Sequence, residues 1–357
     1  MDSVSRYLQA RIDAGRMPGA VWAVSGPSGI VSKRVLGHAA LEPERVEAGT
    51  GTLYDLASLT KPLCTGLALV VLEEQGLCSL DAPAVEWLPE LEGSAYADVS
   101  LLRFAAHSAG LPKWRPLYLA CCDAGAFLAT IAAEPAGEPG KTVYSDLGYV
   151  CLGIAIERIV GRSLDVWFAE SVATVLGLKR LGFATRIDCS AAAPTERGNV
   201  YERSLAGEAG AQHAWRRSMI RGEVHDGNAH ALGGVAGHAG LFGALGDVVT
   251  LASELIRPRV LTLGARARER LFTEALPASG RTVGFVQAAA SDAARGVFAA
   301  DAPGQVGFSG CSLWLEPDRG FVYVLLTNRV HPVVDGEDFQ AVRLGFHRAA
   351  RALTLGR

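Results

Sequence analysis

Ser58-Leu59-Thr60-Lys61 sets a hydroxyl and an amine three residues apart, a spacing that occurs once in the chain. Residues three apart on a helix share a face, so the two groups can meet. A serine hydroxyl is a weak nucleophile until a base takes its proton, and a desolvated lysine can be that base. To work near neutrality such a lysine must drop about three units from its ordinary value near 10.4. Lysine is scarce here: of 34 basic residues, five are lysine and the rest arginine, which keeps its proton in proteins. The blander alternative is a serine that caps a helix and a lysine in solvent.

A second group, Tyr144-Ser145-Asp146, follows a Gly/Pro loop and precedes the apolar run LGYVCLGIAIERIVG. A phenol beside the lysine can pass the serine proton on to a leaving group. Alternatively, Ser145 or Asp146 caps the next helix and Tyr144 only packs. Two further clusters imitate chemistry. Ser108 sits in A-H-S-A-G, but an elbow nucleophile joins a strand to a helix. Here LLRFAA upstream is helix-like, and Pro112 follows almost at once. His225, Asp226, His230 and His238 lie in a Gly-rich stretch whose spacing fits no H-E-x-x-H site, so they read as a structural loop at a cleft rim. Trp87, Tyr96 and Trp114 read as core or cleft wall.

The elements that must position these groups are legible in outline. Residues 1–15 pattern as an amphipathic helix, and Ala20–Ser25 and Ile30–Leu36 as strands about a Gly-Pro-Ser-Gly turn. Leu63–Gln75 is apolar on nearly every face and should be a buried helix. Helical patterns and Gly/Pro loops fill the middle. Ser312–Leu315 and Phe321–Leu326 are strands joined by Pro317-Asp318-Arg319-Gly320, and Phe339–Leu353 is a final helix. Strands at both ends imply one antiparallel sheet with flanking helices, built from residues 1–75 and 261–357. Residues 76–260 would form a mainly helical subdomain, with the site in the cleft between.

With 357 residues, 49% hydrophobic and 20% charged, the chain can bury a large core. A formal charge of −3 and no basic run exclude a nucleic-acid binder. The longest apolar run, from Pro62 to Leu72, is too short to span a bilayer. The seven cysteines (64, 78, 121, 122, 151, 189 and 311) are scattered and odd in number, as suits reduced thiols. With no apolar leader at the start, the expected location is the cytoplasm.

Four stretches, YDLASLTKPLCTG, HSAGLP, PGKTVYSDLGYVCLG and GVAGHAGLFGALGDV, occur in an order that resembles the β-lactamase-related serine hydrolases. That family joins class C β-lactamases, D-alanyl-D-alanine peptidases and certain carboxylesterases, and the resemblance runs from about Gly19 to His331. It implies the mixed α/β fold of serine β-lactamases and transpeptidases, with Ser58 acylated, Lys61 its paired base and Tyr144 assisting. It also aligns Gln305-Val306-Gly307 with the family's K-T-G or H-T-G, and makes the Phe308 N–H a second oxyanion donor beside that of Ser58. Glycine is kept there, but the basic residue and the hydroxyl that hold a substrate carboxylate are not. Asp146 replaces a more frequent asparagine, and an ionised carboxylate cannot donate to a substrate carbonyl. The expected substrate is therefore a small molecule, an ester or amide of a small acyl group that need carry no charge, with weak β-lactamase or D-amino-acid peptidase activity left open, and with no cofactor and no membrane or nucleic-acid partner. The alternative is a binding protein that keeps the fold without turnover. Oligomeric state is not legible.

Overall fold

The computed structural model describes residues 2–120, 122–138, 140–334 and 338–356; Cys121, one of the seven cysteines, and Pro139, the first residue of PGKTVYSDLGYVCLG, lie outside them. A seven-stranded antiparallel sheet in the order β3-β2-β1-β10-β9-β8-β7 draws its strands from the two ends of the chain. They are β1 (Gly19–Gly26), β2 (Gly29–Ala40) and β3 (Val46–Glu47), then β7 (Val286–Gln287), β8 (Pro303–Val306), β9 (Ser312–Glu316) and β10 (Phe321–Leu326). The expected hairpins form. Gly320 closes the β9–β10 turn at φ 70°, a left-handed conformation that costs glycine little.

Every residue of β1 and β10 is buried, because helices cover both faces of the sheet. Side chains alternate across a strand, so Val21 and Ala23 face one core and Trp22 and Val24 the other. The second core is closed by the terminal helices Ser3–Asp13 and Gln340–Ala352, through Val4, Leu8 and Phe346. The first is closed by the Leu67–Glu74 and Leu245–Ile256 helices, and runs on into the helical region around the Asp146–Val160 helix.

A small second sheet, β4-β6-β5, was not anticipated. It joins β4 (Tyr54–Asp55), β5 (Leu181–Phe183) and β6 (Leu241–Gly243). Leu56 continues the pairing through its N–H to Leu241 O at 2.9 Å. The segment entering Ser58 is thereby fixed to residues almost two hundred positions away.

Candidate active site

Ser58 stands at the mouth of the buried helix. A single 3-10 turn, Ala57–Leu59, leads into a wide π turn, Lys61–Gly66, and then the α-helix Leu67–Glu74. Pro62 offers no N–H to the ladder, which suits the widened turn. Ala57 sits at φ 47°, a strained conformation for a residue with a Cβ. It is held there by Asp55, whose Oδ1 accepts the Ala57 N–H at 2.8 Å. Asp55 Oδ2 accepts the His225 N–H, also at 2.8 Å, so one buried carboxylate ties the serine turn to the opposite cleft wall.

Lys61 is fully buried, and its ammonium has three acceptors for three protons. These are Ser58 Oγ at 2.9 Å, Asp146 Oδ1 at 2.6 Å and His238 O at 3.2 Å. Burial alone pushes its pKa down, but Asp146 and Tyr144 outweigh burial, and the net direction is up. This is opposite to the drop expected of a desolvated lysine at a helix N-terminus, because a carboxylate 85 positions away lies at contact distance. Asp146 thus spends one oxygen on the lysine.

Tyr144 is positioned by lacing between two segments. Val143 N–H reaches His107 O at 2.9 Å, Ser145 N–H reaches His107 Nδ1 at 3.0 Å, and Ser145 Oγ donates to Pro112 O at 2.7 Å. The Tyr144 ring lies on His107, centroids 4.5 Å apart, with Lys61 Nζ 5.0 Å from its own centroid. Burial, then the charges of Arg281 and Lys61, hold His107 well below its ordinary value, so its Nδ1 is a neutral acceptor. HSAGLP is therefore a cradle for Tyr144. Ser108 is buried and donates to Arg103 O, behind the Leu101–Ala105 helix.

Two glycines let the far wall close. A Cβ on Gly237 would lie 2.1 Å from Tyr149 O, and one on Gly307 2.5 Å from Leu56 O. The first approach brings Gly237 O to Thr65 Oγ1 at 2.6 Å and its neighbour's carbonyl to Lys61. The second lays the end of β8 along the serine turn, with Phe308 just beyond. Gln305 is buried, its amide spent on Gly284 O and on the Val306 N–H.

The cleft has two lobes that share Ser58, Asp146 and Phe308. One, of about 200 Å³, is walled by Trp114, Tyr201, Leu205, His225 and Asp226. The other, of about 400 Å³, is walled by Tyr144, Arg281, Gln305, Val306 and Arg343. The histidines of the first lobe are paired to acids: His225 Nε2 with Glu196 at 3.0 Å, and His238 Nε2 with Asp226 at 2.8 Å. Burial lowers His225, but Glu196, Glu202 and Asp55 reverse that and leave it raised. Glu202 is pushed up to about 7 by burial and by the charge of Asp226. His230 is exposed against Glu223. Asp55, Glu196, Glu202 and Arg281 were missed in the sequence; only Asp55, three residues before Ser58, carried a local signal there.

The Beta-lactamase family model matches residues 4–345. A "Putative D-alanyl-D-alanine carboxypeptidase" of Escherichia coli (strain K12) is 31% identical over 285 residues, 72% of this chain and 64% of that one. A protein of the same description from Escherichia coli O157:H7 is 29% identical, covering 94% of this chain and 84% of its own. The chain thus spans a little under two thirds of the first relative. Among solved structures, "EstCE1, a hydrolase with promiscuous acyltransferase activity" has a TM-score of 0.74 at 20% identity, covering 97% of both chains.

Proposed function

Because the chain belongs to the β-lactamase family, we propose that it is a serine hydrolase that cleaves an ester or amide through an acyl-enzyme on Ser58. The observation that carries this is the Lys61 amine 2.9 Å from Ser58 Oγ, at the floor of a cleft open on both sides. Ser58 Oγ bonds to the substrate carbonyl carbon, and its proton moves to the neutral form of Lys61. Tyr144 hands that proton to the departing alcohol or amine as the carbonyl–leaving-group bond breaks. The N–H groups of Ser58 and Phe308 hold the oxyanion, a role that survives the changes at Gln305 and Val306 because it uses only backbone. Water then attacks the acyl carbon, releasing the acid and restoring the serine hydroxyl.

A binding protein without turnover has less behind it, since Ser58 and Lys61 are in hydrogen-bond contact. A cytoplasmic location fits the six described cysteines, all free thiols. No helix among the described residues is long and apolar enough to cross a membrane.

Ser58→Ala is expected to abolish hydrolysis of p-nitrophenyl acetate and labelling by a fluorophosphonate, with the circular dichroism unchanged. Residual activity within tenfold of wild type would assign the chemistry to another nucleophile.

A further inference from the structure

The first lobe is acidic: Asp55, Asp146, Glu202 and Asp226 line it, and no lysine or arginine does. Three of these carboxylates are engaged by the protein. Asp55 accepts two backbone N–H groups, Asp146 pairs with Lys61, and Asp226 pairs with His238. His225, the other histidine of the wall, is matched by Glu196. Glu202 differs. It is only 5% exposed, and its Oε1 accepts the Gly227 N–H at 2.8 Å, but its Oε2 is buried without a hydrogen-bond partner. No ion pair joins it to any described residue.

The carboxylate is held in place. Its helix, Val200–Ala206, is pinned by the Tyr201 N–H on Glu196 Oε1 at 2.8 Å. Gly227 must lack a side chain, since a Cβ there would collide with Glu202 Oε2 and the Tyr118 ring. The Tyr118 phenol beside it also has no hydrogen-bond partner, and burial and the Glu202 charge push that phenol up, so it stays neutral. Arg216, the nearby cation, spends its guanidinium on Asn199 Oδ1, Val224 O and His225 O. A buried carboxylate without a counter-ion is costly, and burial together with the Asp226 charge accordingly raises Glu202. A cation in the lobe would remove that cost. Trp114 and Tyr201 add aromatic wall of the kind that attracts one.

We propose that Glu202 is a specificity-determining residue that binds a protonated amine on the acyl group of the substrate, between Trp114 and Tyr201. This rests on the serine-hydrolase reading. Tyr144, which serves the leaving group, walls the other lobe and not this one, so the acyl group occupies the acidic side. The substrate class is an ester or amide of a small amino acid whose amine is free.

The phenyl esters of β-alanine and of butanoic acid isolate the effect, because an ammonium replaces a methyl of similar size and neither acyl group is chiral. Wild type is expected to favour the β-alanyl ester in kcat/KM. Glu202→Gln keeps an acceptor for the Gly227 N–H but loses the charge, and should reduce that preference about ten- to a hundredfold, the size of a charge-assisted contact. Glu202→Asp, with the charge on a shorter stem, restores part of it. Binding of propylammonium to the Ser58→Ala protein, followed by NMR, needs no turnover. It should exceed binding of 1-propanol and be lost in Ser58→Ala/Glu202→Gln. A preference unchanged in a folded Glu202→Gln protein, or propylammonium binding that survives the substitution, overturns the assignment. Propylammonium binding that depends on Glu202, in a protein that cleaves neither ester, supports the subsite and removes only the hydrolase reading.

Discussion

At the scale of single residues, the oddest feature is a base held in its acid form. Acylation needs the neutral Lys61 amine, and Asp146, aided by Tyr144, outweighs burial and raises the lysine above its ordinary value. The ion pair therefore favours the folded state below that value, and its contribution disappears as pH climbs through the raised pKa. Activity must accordingly keep rising with pH beyond neutrality. Asp146→Asn removes the charge but keeps an acceptor, so the lysine titrates lower and the rising limb of the pH–rate profile for p-nitrophenyl acetate moves to lower pH. A limb that stays in place would remove Lys61 as the titrating group. Ser58 and Lys61 were legible together because one helical turn separates them. The carboxylate that changes the lysine's chemistry was legible only as a residue and not as a neighbour, because no local periodicity encodes a contact across 85 positions. Arg281 gave no signal among 29 arginines.

At the scale of elements, the site depends on how closely backbones approach. The Asp146–Val160 helix and the segment before β6 meet at Gly153 and Gly237, with their backbones in contact. Gly237→Ala forces them apart and is expected to cost about 1–3 kcal/mol, read as a lower urea midpoint. It should also lower kcat, because the neighbouring carbonyl that accepts from Lys61 moves with it. Gly246→Ala is the control: it lies exposed in the Leu245–Ile256 helix with nothing within 4 Å of a Cβ, and should gain about 0.5–1 kcal/mol. A loss for both variants would point to a general intolerance of glycine replacement in place of backbone contact. The long hairpins could be read from alternation and turn residues. β4, β5 and β6 could not, because two or three residues are too few to show a period, and their pairing is wholly long-range.

For the whole molecule, strand-like blocks at both ends already implied a shared sheet, but not which strands adjoin. The centre of that sheet is β1 against β10, Val21 opposite Leu326 and Trp22 opposite Leu325. The contact is locked by Thr327 Oγ1 on Gly19 O, 308 positions apart. Such non-local pairing makes folding slow. Refolding from urea, followed by fluorescence of the buried Trp22 and Trp314, is expected to take seconds or longer, with a yield that falls as protein concentration rises. One concentration-independent millisecond phase would contradict it. The same pairing has a consequence for biosynthesis. At roughly 5–20 residues per second on the ribosome, the first hairpin emerges about 15–60 s before the strand that completes it. Throughout that interval a nascent chain carries an unpaired apolar edge, and neighbouring chains on one messenger offer one another the same edge. Slower initiation, which spaces those chains apart, should therefore raise the soluble yield more than slower elongation, which prolongs the exposure.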